Sequence, residues 1–467
     1  MARKEDSGIP TGRIRRAAKV GTLAGGTTAR NYATKAANLT RSKDGRRAAA
    51  ERRQMEVAEQ IVETLGSMKG AAMKVGQVAS FIDTGAFPPE FQEQLQKKLA
   101  ELRDSAPQVA FEEMRKVIEA DLGEPLEDAF AEFEEQALAA ASIGQVYRAK
   151  LHDDRRVAVK VQYPGVASAV RADLQNLGLI MRLAKRIAPG MDSKAMTAEI
   201  RERLTDELDY EHEAQSQRAF ARAWRGHPFI VVPDVVTSLC GEHVLVSEWM
   251  DGSGFEDVRK MDDAVRSRFG EIVFRFFFGS LYRNGHFSGD PHPGNYLLMD
   301  DGRVAFLDFG MTKKLERGQI EEEIESIRCG MEGDAEGLHA AFAREGYLDP
   351  ENPEITPEAV LAHFRDVTAW YVEDREVKLD SAYVGQILID FGDPRSEHWK
   401  LMRRMTVPPK SMLARRMEGL TVGVLGKLEV SANWHRIARE WLFGDPPSSD
   451  LGEAEETFHT RRRAPAA

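Results

Sequence analysis

Gly289-Asp290-Pro291-His292-Pro293-Gly294-Asn295, followed by Leu307-Asp308-Phe309-Gly310, is the stretch that decides the fold of this 467-residue chain. Asp290 and Asn295 stand five residues apart, and Asp308 follows Asn295 by thirteen. Phosphoryl transfer needs such a set: one carboxylate to orient or deprotonate the attacking hydroxyl, and a carboxamide with a second carboxylate to hold Mg²⁺ against nucleotide phosphates. The interval between the motifs reads as a hairpin, with Tyr296-Leu297-Leu298 as one strand, residues 299–303 as the turn and Val304-Ala305-Phe306-Leu307 as the return strand. A lone Asp-Phe-Gly is an ordinary turn sequence, because Asp and Gly are common in turns. Two such motifs at hairpin spacing are far harder to obtain by accident.

A second hairpin lies upstream. Residues 144–151 and 157–161 have strand character around a His152-Asp153-Asp154-Arg155 turn. Lys160 alternates with Val159 and Val161, so its side chain faces opposite theirs. Alone it would be an exposed strand residue. Upstream of the two acidic motifs it is the candidate for the α- and β-phosphates of ATP or ADP. Ala139-Ala140-Ala141-Ser142-Ile143-Gly144-Gln145-Val146 stands where protein kinases carry Gly-x-Gly-x-x-Gly-x-Val, with Ala at the first two Gly positions. Ala139, Ala140, Ala141, Ser142, Gly144 and Val146 are therefore candidate nucleotide contacts. A Cβ at a glycine position restricts both the dihedrals and the approach of backbone amides to phosphate, so phosphate binding is expected to differ from that of an ordinary kinase. The Lys needs an orienting carboxylate from a neighbouring helix. Glu207, Asp209, Glu211 and Glu213 are all offered there, and spacing cannot choose among them. Residues 245–252 leave a strand for a linker, where backbone groups near Glu248 to Met250 could bond adenine.

Composition sets the frame. The hydrophobic share of 42% supports a substantial core, and the formal net charge of −11 argues against a nucleic-acid partner. Residues 1–53 carry fourteen Lys/Arg against four Asp/Glu. A disordered, solvated arm is the plainer reading, and an anionic membrane surface the functional one. No stretch reaches the ~18 apolar residues of a membrane span, and no signal-peptide core is present. Two cysteines, Cys240 and Cys329, offer neither a disulfide framework nor a metal cluster, which fits a reducing cytoplasm. The run 272–278 reads as a buried helix.

The expected architecture is α+β and two-lobed: a basic arm over 1–50, a helical extension over 51–125, a small antiparallel-sheet N-lobe over 126–250, a helical C-lobe over 251–445 and a frayed tail over 446–467. Helices are expected over 109–121, 166–187 and 195–222, and strands at 230–232 and 244–246.

On Lys160, the Ala-rich loop and the Asp290/Asn295 pair, the chain resembles the UbiB family of protein-kinase-like atypical kinases, also called AarF or ADCK, over roughly residues 56–420. Lys74-Val75-Gly76-Gln77 matches that family's Lys-x-Gly-Gln motif, and Glu207-Leu208-Asp209 its Glu-x-Asp motif. The resemblance implies that Glu207 partners Lys160 and that Lys74 and Gln77 face the nucleotide. It also implies ATP binding with slow ATPase activity, and a supporting role in prenylquinone or isoprenoid lipid metabolism at membranes. The roles that follow are Asp290 as base or water-positioner, and Asn295 and Asp308 on Mg²⁺. Two features depart from the family. Ser288 stands where its members often carry His two residues before the catalytic Asp, with His286 four before and on the helix side. Many bacterial members also end in transmembrane helices, whereas this sequence shows none, so action at a membrane would rest on the basic arm or an apolar helical surface. Two rival readings are a small-molecule phosphotransferase of the aminoglycoside or choline-kinase type, and a non-catalytic scaffold that uses nucleotide as a conformational ligand.

Overall fold

The computed structural model describes residues 109–140, 143–187, 208–392 and 396–463, with isolated positions between 188 and 207. Lys74, Gln77, Ala141, Ser142 and Glu207 lie outside the described residues. The chain divides into two compact units, Met1–Val109 with Tyr163–Leu204, and Ala110–Gln162 with Thr205–Ala467. Of the first, the main described element is helix α2 (Val166–Ile187). Everything that follows concerns the second.

That unit opens on helix α1 (Phe111–Leu122) and a small sheet built from β1 (Glu132–Phe133), β2 (Ala139–Ala140), β3 (Gly144–Lys150), β4 (Arg156–Gln162) and β6 (Val244–Glu248). The pairings are antiparallel, with Val146 opposite Lys160 and Lys160 opposite Leu245. Val157, Val159 and Val161 are wholly buried on one face of β4, which leaves Ala158 and Lys160 half-buried on the other. Gly144 is required by close approach: a Cβ there would stand 2.0 Å from the Val161 carbonyl oxygen. The helix at 109–121, assigned from sequence to an N-terminal extension, instead belongs with this sheet. Asp121 at its end accepts the N–H groups of His243 and Val244, both at 2.9 Å. The expected helix over 195–222 is broken. Asp209 caps a separate helix α3 (Tyr210–Trp224), its carboxylate accepting the His212 N–H at 3.1 Å.

β5 (Ile230–Val231) leaves the small sheet and pairs in parallel with β9 (Val304–Phe306), which in turn pairs with β8 (Tyr296–Leu298). A second ladder joins β7 (His286–Ser288) to β10 (Thr312–Lys314). Behind both runs α4 (Asp263–Gly279), whose residues 272–278 are buried throughout, Arg275 included. Phe276 of α4 stacks on Phe306 of β9 at 3.7 Å between ring centroids. The rest is helical, with α5 (Arg317–Glu332), α6 (Ala335–Glu345), α7 (Pro357–Val372), α8 (Ser381–Gly392), α9 (Pro409–Leu428) and α10 (Trp434–Leu442), and one ladder, β11 (Val377–Leu379) with β12 (Val430–Ala432). The expected hairpin at 296–307 and the buried helix at 272–278 are both present.

The tail departs from expectation. Residues Asp450–Arg463 form helix α11, with Leu451 and Glu455 buried. The buried Arg275 guanidinium explains the docking: it donates to Glu455 and Glu440 at 2.8 Å each and to Glu271 at 2.8 Å. A fully desolvated guanidinium needs such partners, and a charged residue inside an otherwise apolar helix run asks for carboxylates from elsewhere in the chain. Beside it lies His227, 3% exposed, packed against Trp224, Phe229 and Phe458. Burial pushes its pKa down to about 3, with Glu455 opposing and His459, Arg283 and Arg275 reinforcing the shift.

A neutral buried histidine that must charge on unfolding costs stability as pH falls below its unfolded pKa of about 6.5. Between pH 6.5 and 4 the unfolded chain binds the proton and the folded chain does not, which amounts to about 3 kcal/mol at 1.36 kcal/mol per unit. His227→Asn keeps an acceptor but cannot titrate. Urea unfolding is therefore expected to show a flatter loss of stability across this window in the variant than in the parent; parallel curves would contradict the assignment.

Candidate active site

The Lys160 ammonium, held on β4, donates to both oxygens of Glu213 at 2.8 and 3.0 Å and to Asp308 at 3.2 Å. The Glu213 side chain is 2% exposed and that of Lys160 only 19%, so the pair is far less screened than a surface ion pair. Burial alone would lower the Lys160 pKa; Asp308 and Glu213 outweigh it and raise it well above the usual lysine value. The Tyr210 ring lies 5.1 Å from the ammonium and adds its π face.

The carboxylate the structure places on Lys160 is thus Glu213; Glu207, which the Glu-x-Asp match selected, lies outside the described residues. The reason is the face of α3. Tyr210, Glu213, Ala214, Gln217, Phe220 and Trp224 are its buried stripe, whereas Glu211 is exposed and Asp209 is spent on the cap. A carboxylate inside an apolar stripe of helical period was the readable signal, and it points to Glu213.

Two ladders bring the acidic motifs together. Ser288 pairs with Thr312 in β7–β10, Tyr296 pairs with Phe306 in β8–β9, and the loop between closes through Gly289 N–H to Met311 at 2.7 Å and Leu307 N–H to Asn295 at 2.8 Å. Asn295 Nδ2 donates to Asp290 Oδ2 at 3.1 Å. That contact orients the amide and turns Oδ1 away as its acceptor. Asp308 Oδ1 accepts the Gly310 N–H at 3.1 Å. Gly310 lies so close to Glu213 that a Cβ would stand 3.2 Å from its carboxylate. Phe309 packs on Phe220 of α3 at 4.8 Å, and Thr312 hydroxyl donates to Ser216 of α3 at 3.0 Å, so the Asp308 segment and the Glu213 helix are fastened together.

Asp290 is 9% exposed. Arg416 of α9, 4% exposed at its side chain, donates to Asp290 Oδ1 at 3.3 Å and also to the Gly289 carbonyl. Burial lowers the Arg416 pKa, with Asp290 opposing. Sequence reading missed this residue. Its signal was an Arg on the same face as Met412, Leu413 and Met417, a stripe in which a cation requires an anion. Gly289 itself is needed because a Cβ would fall 2.3 Å from Leu413 of the same helix. His286 sits on strand β7 and not on the preceding helix; its ring meets Phe220 at 4.4 Å, and burial lowers its pKa to about 4. Ser288 Oγ accepts the Asp290 N–H at 3.4 Å.

On the nucleotide side, Ala139 and Ala140 pair with Val146 and Gln145 and so form a short strand leading into the loop. At the linker, Glu248 N–H donates to Asp234, Trp249 N–H donates to Arg156, and the Glu248 carboxylate accepts the Asp234 N–H at 3.0 Å. Both backbone donors are occupied, and the Glu248 side chain is spent on the fold. Among the described residues, the Met250 N–H makes no hydrogen bond. The donors around Asp308 and Asn295 are oxygens, the set that suits a hard cation such as Mg²⁺.

A small antiparallel-sheet lobe, a helical lobe and a Lys–Glu–Asp cluster flanked by the buried Asp290 with its partner Asn295 define a protein-kinase-like fold of the α+β class. The model of the ABC1 atypical kinase-like domain matches residues 101–342, more than half of the sequence, and the chain belongs to this ABC1/UbiB family of atypical kinases. It is 33% identical over 59% of its length to the rat mitochondrial atypical kinase COQ8B, covering 52% of that protein. It is 32% identical over 74% of its length to the chloroplastic ACTIVITY OF BC1 COMPLEX KINASE 1 of Arabidopsis thaliana, covering 51%. The chain spans about half the length of these curated relatives. Among solved structures it is similar to Rv3197 of Mycobacterium tuberculosis, determined with erythromycin, at 29% identity and a TM-score of 0.60, covering 87% of this chain and 100% of that one. Among the described residues no helix is long and apolar enough to cross a membrane.

Removing Arg416 takes a guanidinium away from the buried Asp290 carboxylate. Arg416→Ala is expected to cost about 3 kcal/mol of unfolding free energy, Arg416→Lys less, and the Ala cost should fall by more than half in an Asp290→Asn background. Denaturant melts of the five proteins check this; equal costs in both backgrounds would contradict the pairing.

Proposed function

We propose that this chain is an atypical kinase or ATPase that binds Mg-ATP between its lobes. The reading rests on one observation above the others: the Lys160 ammonium lies within 3.2 Å of carboxylates from two separate elements, α3 and the Asp308 segment. In phosphoryl-transfer enzymes the Lys–Glu pair and the metal-binding Asp must both be in place for nucleotide phosphates to be held. Here Glu213 would orient Lys160 toward the α- and β-phosphates, and Asp308 with Asn295 would hold Mg²⁺. The bound cation would neutralise charge on the phosphate oxygens. Asp290, oriented by Asn295 and Arg416, would accept the proton of an attacking hydroxyl or position a water. Ala139, Ala140, Gly144 and Val146, with Ala141 and Ser142 between them in the sequence, would contact the phosphates, and the Met250 N–H would be the linker donor for adenine. Lys74 and Gln77 of the Lys-x-Gly-Gln motif would face the same nucleotide.

The family resemblance supports a role in prenylquinone or isoprenoid lipid metabolism, with isoprenoid lipids and an anionic membrane surface as partners and the basic arm as the contact. A cytoplasmic site of action, peripheral at the membrane, is the location that the two cysteines and the basic arm would fit.

Thermal shift with Mg-ATP tests the site. The parent protein is expected to be stabilised, and Lys160→Met and Asp308→Asn to lose most of that shift. Variants stabilised as much as the parent would overturn the reading. ATP turnover with and without anionic liposomes containing isoprenoid lipid tests the membrane role, with a several-fold rise expected.

A further inference from the structure

The tail helix α11 reaches both strands of the proposed chemistry. On its inner face Glu455 binds the buried Arg275 of α4, and Gly452 passes so close that a Cβ would lie 2.8 Å from that guanidinium. One residue on, Glu456 lies 3.8 Å from Arg283, in the turn that leads through Gly285 into β7 and Asp290. On the same inward face Phe458 meets His227 edge-to-face at 4.7 Å, and His227 meets Trp224, the last residue of α3, at 4.8 Å. Arg462 then donates to the carbonyls of Arg222, at 3.2 Å, and Ala223. Those are terminal carbonyls of α3, which a helix leaves without intrahelical partners and where a cation also meets the negative end of the helix dipole.

His227, Glu455 and His459 bring ligand atoms within 4.8 Å of one another, the spacing of a cation site. The hydrogen bonding argues against a metal there. His227 Nδ1 accepts the Ile230 N–H at 3.1 Å, so the neutral ring carries its proton on Nε2 and has no lone pair to give. The cluster is better explained as polar packing that seats the tail helix beneath the end of α3.

We propose that α11 is a positioning clamp for α3: seated on Arg275, it holds the C-terminal end of α3 through Phe458 and Arg462 at the depth where Glu213 meets Lys160. Glu213 lies eleven residues before Trp224, about 16 Å along the helix at 1.5 Å per residue. A helix this short moves as a rod, so a shift at its end displaces the carboxylate. Kinase-like sites are controlled through the position of this helix. In this chain the control element is the chain's own C-terminal segment, with Glu455, Phe458 and Arg462 as positioning residues. The consequence for nucleotide rests on the function proposed above, whereas the clamp itself is a statement about α3.

The test uses the full chain with Arg462→Gln, an exposed change that leaves the core intact, with Phe458→Ala/Arg462→Gln, and with Arg462→Lys as the conservative control. Hydrogen exchange of the amides in residues 218–224 is expected to accelerate at least tenfold in the double variant and less in Arg462→Gln, with Arg462→Lys close to the parent. Mg-ATP affinity measured by calorimetry should fall about tenfold in parallel. Unchanged exchange in α3 would overturn the clamp, and so would faster exchange with unchanged affinity, because α11 would then support the fold without positioning Glu213. If the parent binds no Mg-ATP, the nucleotide reading fails and exchange alone decides the clamp.

Discussion

The structure depends on where one buried ammonium is allowed to sit. Lys160 comes from a strand of the small sheet, Glu213 from a helix beside it and Asp308 from the end of a hairpin in the larger lobe, and the three meet within 3.2 Å. A desolvated cation tolerates such a place only with anions around it, and two carboxylates so close together tolerate each other only with a cation between them. The small sheet, α3 and the Asp308 segment are therefore mutually conditional, and the contacts of Phe220 with Phe309 and of Ser216 with Thr312 fasten the same elements by packing.

The same logic recurs twice behind the site. Arg416 supplies the positive charge that lets Asp290 stay buried, and Arg275 gathers Glu271, Glu440 and Glu455 where α4, α10 and α11 converge. Each guanidinium lies within an otherwise apolar helical face and is matched by carboxylates from distant parts of the chain. Such charges offer little net stability against an apolar core, but they penalise any arrangement that separates the partners. They select one relation among helices that hydrophobic packing alone would leave less defined.

Much of this was legible in the sequence. The Asp290–Asn295–Asp308 spacing carried the hairpin and the acidic cluster, and the alternation around Lys160 carried its face on β4, because local periods and turn chemistry decide both. What was not legible was contact between distant helices. Motif matching chose Glu207, which lies outside the described residues, while burial on α3 places Glu213 on Lys160; the helix stripe held the second piece of information, but the acidic run around it obscured it. Arg275 was visible as a charge within an apolar run without any indication of which carboxylates it would meet, and Arg416 was missed. The tail looked polar and Pro/Ser-rich, yet it folds against the body because Glu455 completes the shell of Arg275. His286 was placed with the preceding helix because a π-turn at Ser280–Asn284 ends that helix early and Gly285 turns the chain into β7.

The central claim is that Lys160 and Glu213 act as one unit toward a nucleotide. A double-mutant cycle on Mg-ATP affinity with Lys160→Met and Glu213→Gln tests it directly. The account predicts that Glu213→Gln weakens binding markedly in the parent but adds almost nothing once Lys160 is Met, a coupling of about 1–3 kcal/mol. Losses that simply add would contradict it.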